Sequence, residues 1–162
     1  HIARDGVFSV FPGVDRVITL LEGGGVHLRS ADGSVLHALD TPLQPFAFSG
    51  DAAVHGRLLN GDCHDLNVMT RRGVCQAEVR VLRRDETLLP APAGWLMAIQ
   101  GTWQVQTAHT ESDTDTTNAQ QHALGAQTGL WWHDAMLACQ CQCVDSASDA
   151  ALLAVRFTPT PR

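Results

Sequence analysis

The stretch Phe11-Pro12-Gly13-Val14-Asp15-Arg16-Val17-Ile18-Thr19-Leu20-Leu21-Glu22-Gly23-Gly24-Gly25 decides the fold of this chain. A Pro-Gly turn leads into residues 17–21, which are almost all apolar, as is typical of a strand buried on both faces. The glycines that follow end the strand and turn the chain back. A weaker copy, Pro92-Ala93-Gly94-Trp95-Leu96-Met97-Ala98-Ile99-Gln100-Gly101, occurs later. We therefore expect one buried strand in each half of the chain, with further strands packed against it.

Turn signals recur at short spacing along the rest of the sequence. Ala31-Asp32-Gly33 predicts a hairpin between residues 26–30 and 34–39, and Asn60-Gly61-Asp62 and Arg71-Arg72-Gly73 predict further turns. Helical periodicity is weak throughout. Short strands with regular turns are typical of an all-β sandwich or barrel, so we expect an all-β fold with almost no helix.

An internal repeat extends the similarity of the two buried strands. Leu36-His37-Ala38-Leu39 and Gln121-His122-Ala123-Leu124 follow them at comparable distances. Two similar barrels fused in one chain would explain the repeat, although any two buried hairpins also look alike. We expect a first barrel over residues 1–89 and a second over 90–162, packed as one compact unit. His1-Ile2-Ala3 resembles the tail of a strand, so N-terminal strands of the first barrel are expected to be missing.

Composition excludes several classes of partner. The net charge is −6, from 11 Lys+Arg against 17 Asp+Glu, and no basic stripe predicts nucleic-acid binding. No apolar run approaches the ~18 residues that span a bilayer.

The cysteine count of five is odd, which favours free thiols in a cytoplasmic protein over a disulfide framework. A metal site in Cys139-Gln140-Cys141-Gln142-Cys143 is the alternative, disfavoured because three sulfurs on a straight strand do not converge easily. Residues 109–121, rich in polar side chains, predict a loop or the tip of a hairpin.

Several stretches resemble the HutD/Ves family. They are Arg4-Asp5-Gly6-Val7-Phe8-Ser9-Val10-Phe11-Pro12-Gly13-Val14-Asp15-Arg16, Leu20-Leu21-Glu22-Gly23, Pro45-Phe46-Ala47-Phe48-Ser49-Gly50-Asp51 and Asp65-Leu66-Asn67-Val68-Met69-Thr70-Arg71-Arg72-Gly73. The resemblance implies a bicupin of the RmlC-like class, with two antiparallel double-stranded β-helix (jelly-roll-like) barrels in one chain. It also implies a bacterial protein that modulates histidine utilisation rather than supplying one of its enzymes, with a small acid such as formylglutamate as ligand. The family's N-terminal Pro-Trp-Lys-Asn-Gly-Gly-Gly stretch is absent from this sequence.

A metal-binding cupin needs two histidines one residue apart, so that both imidazoles point into the barrel, and a third on a later strand. Here His27, His37 and His55 stand alone on separate predicted strands. We therefore expect neither a metal nor another cofactor.

Two arginines and an amide are the candidate ligand-binding groups. Arg16 lies at the entry of the first buried strand, Arg57 among Val54, Leu58 and Leu59, and Asn67 within an apolar strand. A guanidinium holds a carboxylate through two parallel hydrogen bonds. The alternative is that Asp15–Arg16 and Arg57–Asp65 are structural ion pairs. The expected set is Arg16, Arg57, Asn67, Phe48 and Asp65, with Phe48 either in the core or lining the pocket.

Three functions compete at this stage. The first is a metal-free protein that binds a small carboxylate. The second is a small enzyme, an isomerase or hydrolase that uses the barrel interior. The third is a structural or interaction module. Because Trp131 and Trp132 point opposite ways on a strand, one of them is expected to be exposed or in an interface, so a homodimer is an open alternative.

Overall fold

A computed structural model describes residues 1–109, 119–145 and 149–161. Within these ranges it contains fifteen β-strands and no helix, so the expectation of an all-β fold is confirmed. No helix in the described ranges is long and apolar enough to cross a membrane. The strands are β1 (Gly6–Val7), β2 (Val14–Gly23), β3 (Val26–Ser30), β4 (Leu36–Leu39), β5 (Pro45–Ser49), β6 (Val54–Leu58), β7 (Cys63–Arg71), β8 (Cys75–Leu82), β9 (Glu86–Ala91), β10 (Ala93–Gln100), β11 (Trp103–His109), β12 (Gln120–Leu124), β13 (Gly129–Trp132), β14 (Leu137–Cys143) and β15 (Ala151–Pro159).

The chain divides into two units. The first comprises His1–Gln76 with Thr160–Arg162, and the second comprises Ala77–Pro159. The division lies earlier than the expected boundary between residues 89 and 90. The reason is that most of β8 belongs to the second unit, where it forms the edge of a sheet beside β15.

The first unit is built from two antiparallel sheets. One has the strand order β5-β2-β7 and the other β1-β6-β3-β4. Alternate residues of β2, among them Ile18 and Leu20, meet Val26, Leu28 and Val54 of the other sheet in one apolar core. The period-2 alternation of strands gives each sheet one face toward this core and one face away from it.

The second unit also has two sheets, with the orders β13-β10-β15-β8 and β12-β11-β14-β9. Its core includes the fully buried Trp103 of β11 and Leu96 of β10. Cys139 and Cys141, at alternate positions of β14, lie in the same core as small apolar side chains. All five cysteines are free, as the sequence analysis expects.

The strand orders confirm the internal repeat. Strands β1 to β7 correspond in order and pairing to β9 to β15, and β8 is an additional edge strand of the second unit. The repeated tetrapeptides coincide with β4 and the last four residues of β12. On the core face of β2 the series Arg16, Ile18, Leu20 matches Gly94, Leu96, Ala98 on β10.

Part of the predicted loop over residues 109–121 lies outside the described residues. His109 ends β11 and Gln120 begins β12, so the two ends of the predicted loop belong to strands. Residues 110–118 lie outside the described ranges.

Candidate functional site

Arg16 is a charged residue on the core face of β2. It alternates with Ile18 and Leu20 and is only 3% exposed. Phe48 of β5 and Met69 of β7 lie opposite it in the sheet. Strand periodicity therefore directs the guanidinium toward the interior, where an apolar side chain would be usual.

Three phenylalanines surround the Arg16 guanidinium. Its Cζ lies 4.8 Å from the ring centroid of Phe48, 5.4 Å from that of Phe11 and 5.7 Å from that of Phe8. These distances are within the range of cation–π attraction. Phe8 reaches this position because residue 56 is glycine: a Cβ there would come within 2.6 Å of Phe8 Cε2.

Two of the three guanidinium nitrogens have protein acceptors. Nη1 donates to the Ser9 carbonyl at 3.2 Å, and Nε donates to Asn67 Oδ1 at 3.4 Å. In the described part of the chain, Nη2 donates no hydrogen bond and no carboxylate oxygen lies within 4.0 Å of Arg16. Burial lowers the pKa of Arg16, and the negative charge of Asp65 opposes that shift. The guanidinium is thus desolvated without a direct counterion.

Polar and aromatic groups continue from Arg16 along the same face. Asn67 and Asp65 follow on β7, opposite Ile18 and Leu20. Phe46 stacks on Phe48 with ring centroids 6.0 Å apart. The His37 ring lies parallel to Phe46, with a centroid distance of 3.8 Å and an interplanar angle of 4°. We call the group formed by Arg16, Phe8, Phe11, Phe48 and Asn67 the Arg16 site.

The structure brings four of the five predicted residues onto one face. Arg16, Phe48, Asn67 and Asp65 all occupy core-face positions of the sheet β5-β2-β7. Arg57 does not join them, because it occupies an exposed position on β6 between the inward-facing Gly56 and Leu58.

Neither of the alternative ion pairs is present. Asp15 pairs with Arg72 at 2.8 Å, on the side of β2 away from Arg16. Arg57 has no carboxylate within 4.0 Å in the described ranges, so it does not pair with Asp65.

Sequence reasoning missed Phe8, Phe11 and His37 as neighbours of the candidate groups. His37 could have been found, because alternation in β4 places it on the same face as the buried Leu39. Phe8 and Phe11 lie between β1 and β2, outside any strand, and no periodicity assigns a face to such residues.

The equivalent position in the second unit is filled by protein. Gly94 replaces arginine there, and Trp132, the equivalent of Phe48, packs so closely on Gly94 that any Cβ would overlap its ring. The Trp132 indole donates to the Ala91 carbonyl at 3.0 Å. This position leaves no room for a ligand.

The second unit has its own core-face arginine, Arg156, which lies opposite Gly94. Its Nη2 forms an ion pair with Glu78, and its Nη1 donates to the Leu89 carbonyl at 2.7 Å. Arg156 therefore has the protein carboxylate that Arg16 lacks.

No group of three or more His, Cys, Asp or Glu side chains in the described ranges could hold a metal ion. His37 faces the interior, whereas His27 and His55 occupy exposed positions on β3 and β6. The chemistry of the Arg16 site is that of hydrogen-bond donation and charge.

The fold and this site define an all-β protein of two similar units, the first of which carries a buried arginine without a carboxylate partner. The chain belongs to the HutD family, whose model matches residues 1–150. Membership supports a protein related to histidine utilisation, the association implied by the sequence resemblance.

Two solved structures are similar over nearly the whole chain. A conserved protein of unknown function from Pseudomonas aeruginosa PAO1 has a TM-score of 0.78 and 26% identity, over 98% of this chain and 79% of that one. HutD from Pseudomonas fluorescens SBW25, whose structure is described as a formate condition, has a TM-score of 0.73 and 25% identity, over 98% of this chain and 76% of that one.

Proposed function

We propose that the first unit binds a small organic carboxylate at Arg16 without a metal, and that the protein modulates histidine utilisation through this binding. A pathway acid such as formylglutamate is the ligand that we propose. The observation that carries the proposal is the guanidinium of Arg16, a residue only 3% exposed, with no carboxylate oxygen within 4.0 Å in the described ranges.

A buried cation favours an anionic partner on energetic grounds. Desolvation of an unpaired charge costs several kcal/mol, and a carboxylate in hydrogen-bond contact offsets that cost. Nη2 of Arg16 has no hydrogen-bond acceptor among the described residues and can donate to a ligand. The amide nitrogen of Asn67 is a second candidate donor. A planar carboxylate or amide would also stack on the surrounding phenylalanine rings.

The difference between Arg16 in the first unit and Arg156 in the second supports a ligand-binding role for Arg16 rather than a structural one. Arg156 in the second unit is held by Glu78, and the space equivalent to that of Arg16 is closed by Trp132. The repeated strand orders also support the bicupin organisation, with ligand binding confined to the first unit.

The groups that contact Arg16 favour binding over catalysis. Its hydrogen-bond partners are a backbone carbonyl and a side-chain amide, neither of which exchanges protons at neutral pH. The formate condition named for the Pseudomonas fluorescens neighbour concerns the smallest carboxylate, which is the chemistry proposed here.

The test is calorimetry of formate, formylglutamate, urocanate and glutamate against wild type, Arg16→Gln and Arg16→Lys. We expect at least one of these acids to bind wild type. Arg16→Gln should weaken it about 10- to 100-fold, the equivalent of a charged hydrogen bond worth about 1.5–3 kcal/mol. Arg16→Lys should retain part of the affinity, because lysine keeps the positive charge but lacks the two parallel N–H donors of a guanidinium.

Arg156→Gln is the matched control, because it removes a core-face guanidinium from the second unit. It should lower stability and leave the affinity unchanged. Equal binding by wild type and Arg16→Gln, or binding by neither, would contradict the proposal.

A further inference from the structure

The exposed face of the sheet β1-β6-β3-β4 carries a second concentration of basic groups. A hollow of about 650 Å³ lies on this face rather than beside Arg16. Four basic side chains line it, and we call them the basic face. They are His27, Arg29, His55 and Arg57.

Sheet register places these four side chains in direct opposition. His27 faces Arg57 across the β3–β6 pair, and Arg29 faces His55 two residues further along β3. Directly opposite residues have Cβ atoms about 4.5–5.5 Å apart, and like charges at such positions are destabilising. The arrangement therefore costs stability in the isolated protein whenever the histidines are protonated.

No acidic group of the described chain compensates this charge. None of the four side chains forms an ion pair or a hydrogen bond with a described residue. Asp5, just before β1, accepts a hydrogen bond from the Leu58 amide at 2.8 Å instead. Asp32, in the β3–β4 turn, is bound by Ser34. The face is basic in a chain whose net charge is −6.

Apolar side chains bound the basic face at both sides. Val7 on β1 lies opposite His55, and Leu36 on β4 lies opposite Arg29. Each of the two apolar residues is 75% exposed. One row across the sheet therefore contains two basic residues between two apolar ones. In order it is Val7, His55, Arg29, Leu36. The row spans three interstrand spacings, or about 14 Å.

We propose that the basic face docks an acidic segment of a partner protein, with apolar side chains at the two ends of the segment. In an extended segment the first, third and fifth side chains point to the same face, so a central carboxylate would pair with Arg29 while the two ends cover Val7 and Leu36. The two flanking carboxylates would add negative charge beside the basic face. In an extended peptide, residues four apart are separated by about 14 Å, which matches the width of the row. This pattern favours a peptide over a lone phosphate, which would leave both apolar residues exposed.

The probe is the peptide acetyl-Leu-Glu-Asp-Glu-Leu-amide, with the uncharged Leu-Gln-Asn-Gln-Leu form for comparison. Binding to the full chain is measured by isothermal titration calorimetry at about 50 mM salt, where screening is weak. We expect the acidic peptide to bind at least about tenfold more tightly than the uncharged one. Arg29→Gln/Arg57→Gln should remove that preference, and Leu36→Ser should weaken binding several-fold.

Arg83→Gln/Arg84→Gln, in the turn between β8 and β9, is the control and should bind like wild type. All substitutions are at exposed or turn positions, and unfolding midpoints verify that each variant is folded.

Equal or absent binding of the two peptides would overturn the proposal. Complete displacement by inorganic phosphate with no effect of Leu36→Ser would assign a small-anion site instead. Self-association of wild type that is lost in Arg29→Gln/Arg57→Gln would make a second copy the occupant.

Discussion

At the scale of single residues, Arg16 and Arg156 occupy core faces of equivalent sheets but differ in their partners. Arg156 is paired with Glu78, whereas the guanidinium of Arg16 is surrounded by phenylalanine rings and meets no carboxylate in the described ranges. Burial lowers the pKa of Arg16, yet the reference pKa of arginine is so high that the side chain stays charged at neutral pH. A permanent charge in such surroundings is the feature that points to an anionic ligand.

Gly94 is the residue that permits Trp132 to fill the second unit. A methyl group at position 94 would overlap the indole ring and come within 2.8 Å of the Val155 carbonyl. Gly94→Ala should therefore lower the free energy of unfolding by about 1–3 kcal/mol, the usual cost of overpacking a core. Gly6→Ala, at a site with no heavy atom within 4 Å, should change it by less than about 0.5 kcal/mol. Urea denaturation of both variants tests this, and equal stability would contradict the packing argument.

The cysteines differ in accessibility along one short sequence. Burial raises the pKa of the Cys139 thiol to about 11 and that of Cys141 to about 12. Because the thiolate is the reactive form, neither should be alkylated at neutral pH in the folded protein. Cys75 and Cys143 are only partly buried and should be alkylated first. Mass spectrometry after brief iodoacetamide treatment distinguishes the sites, and labelling of Cys141 before Cys143 would contradict the burial seen here.

At the scale of elements, the carboxylate of Asp51 connects the turn before β6 to the residue that precedes β2. Asp51 accepts a hydrogen bond from the Gly13 amide at 2.8 Å and pairs with Arg72 at 2.6 Å. These contacts, the Gly13 bond foremost, lower the pKa of Asp51 from 3.8 to about 2. A carboxyl whose pKa is lowered by folding stabilises the fold above its unfolded value and loses that contribution as pH falls.

Asp51→Asn should accordingly unfold more easily than wild type at pH 7. The difference should shrink as pH falls from about 4 to about 2, where the wild-type carboxyl takes up its proton. Thermal unfolding across this window measures the effect, with Asp40→Asn, in an exposed position after β4, as the control. A difference between wild type and Asp51→Asn that stayed constant down to pH 2 would exclude the ionised contact as its source.

Strand positions could be predicted from the sequence because alternation and turn residues are local signals. The hairpin at Ala31-Asp32-Gly33 follows from such signals. Strand β9 was not predicted, because it contains Pro90 and lies beside a second proline. Proline cannot donate to a ladder, so a strand is not expected there.

The candidate site could be predicted only in part. Alternation indicates that Arg57 faces away from Val54, but it does not say which face of a strand meets the core. That choice depends on the pairing of β6 with β3, which is a long-range contact. The partner of Asp15 was also unpredictable, because Arg72 lies 57 residues away.

At the scale of the whole molecule, two units with the same strand order have different interiors. The first keeps the charged Arg16 site, and the second places Gly94 and Trp132 at the equivalent position. The matching strand orders give two equivalent positions, and Gly94 with Trp132 closes the one in the second unit. We therefore expect one carboxylate to bind per chain rather than two.

The most direct measurement is a nuclear magnetic resonance titration of the Arg16 Nε–Hε signal with formylglutamate, assigned by its loss in Arg16→Lys. The signal should shift progressively and saturate at one equivalent per chain, because the carboxylate changes the field and hydrogen bonding at this guanidinium. The Arg156 signal should stay unchanged, since its guanidinium is already paired with Glu78. An Arg16 signal that does not move, or an equal shift of Arg16 and Arg156, would contradict a carboxylate site at Arg16 in the first unit.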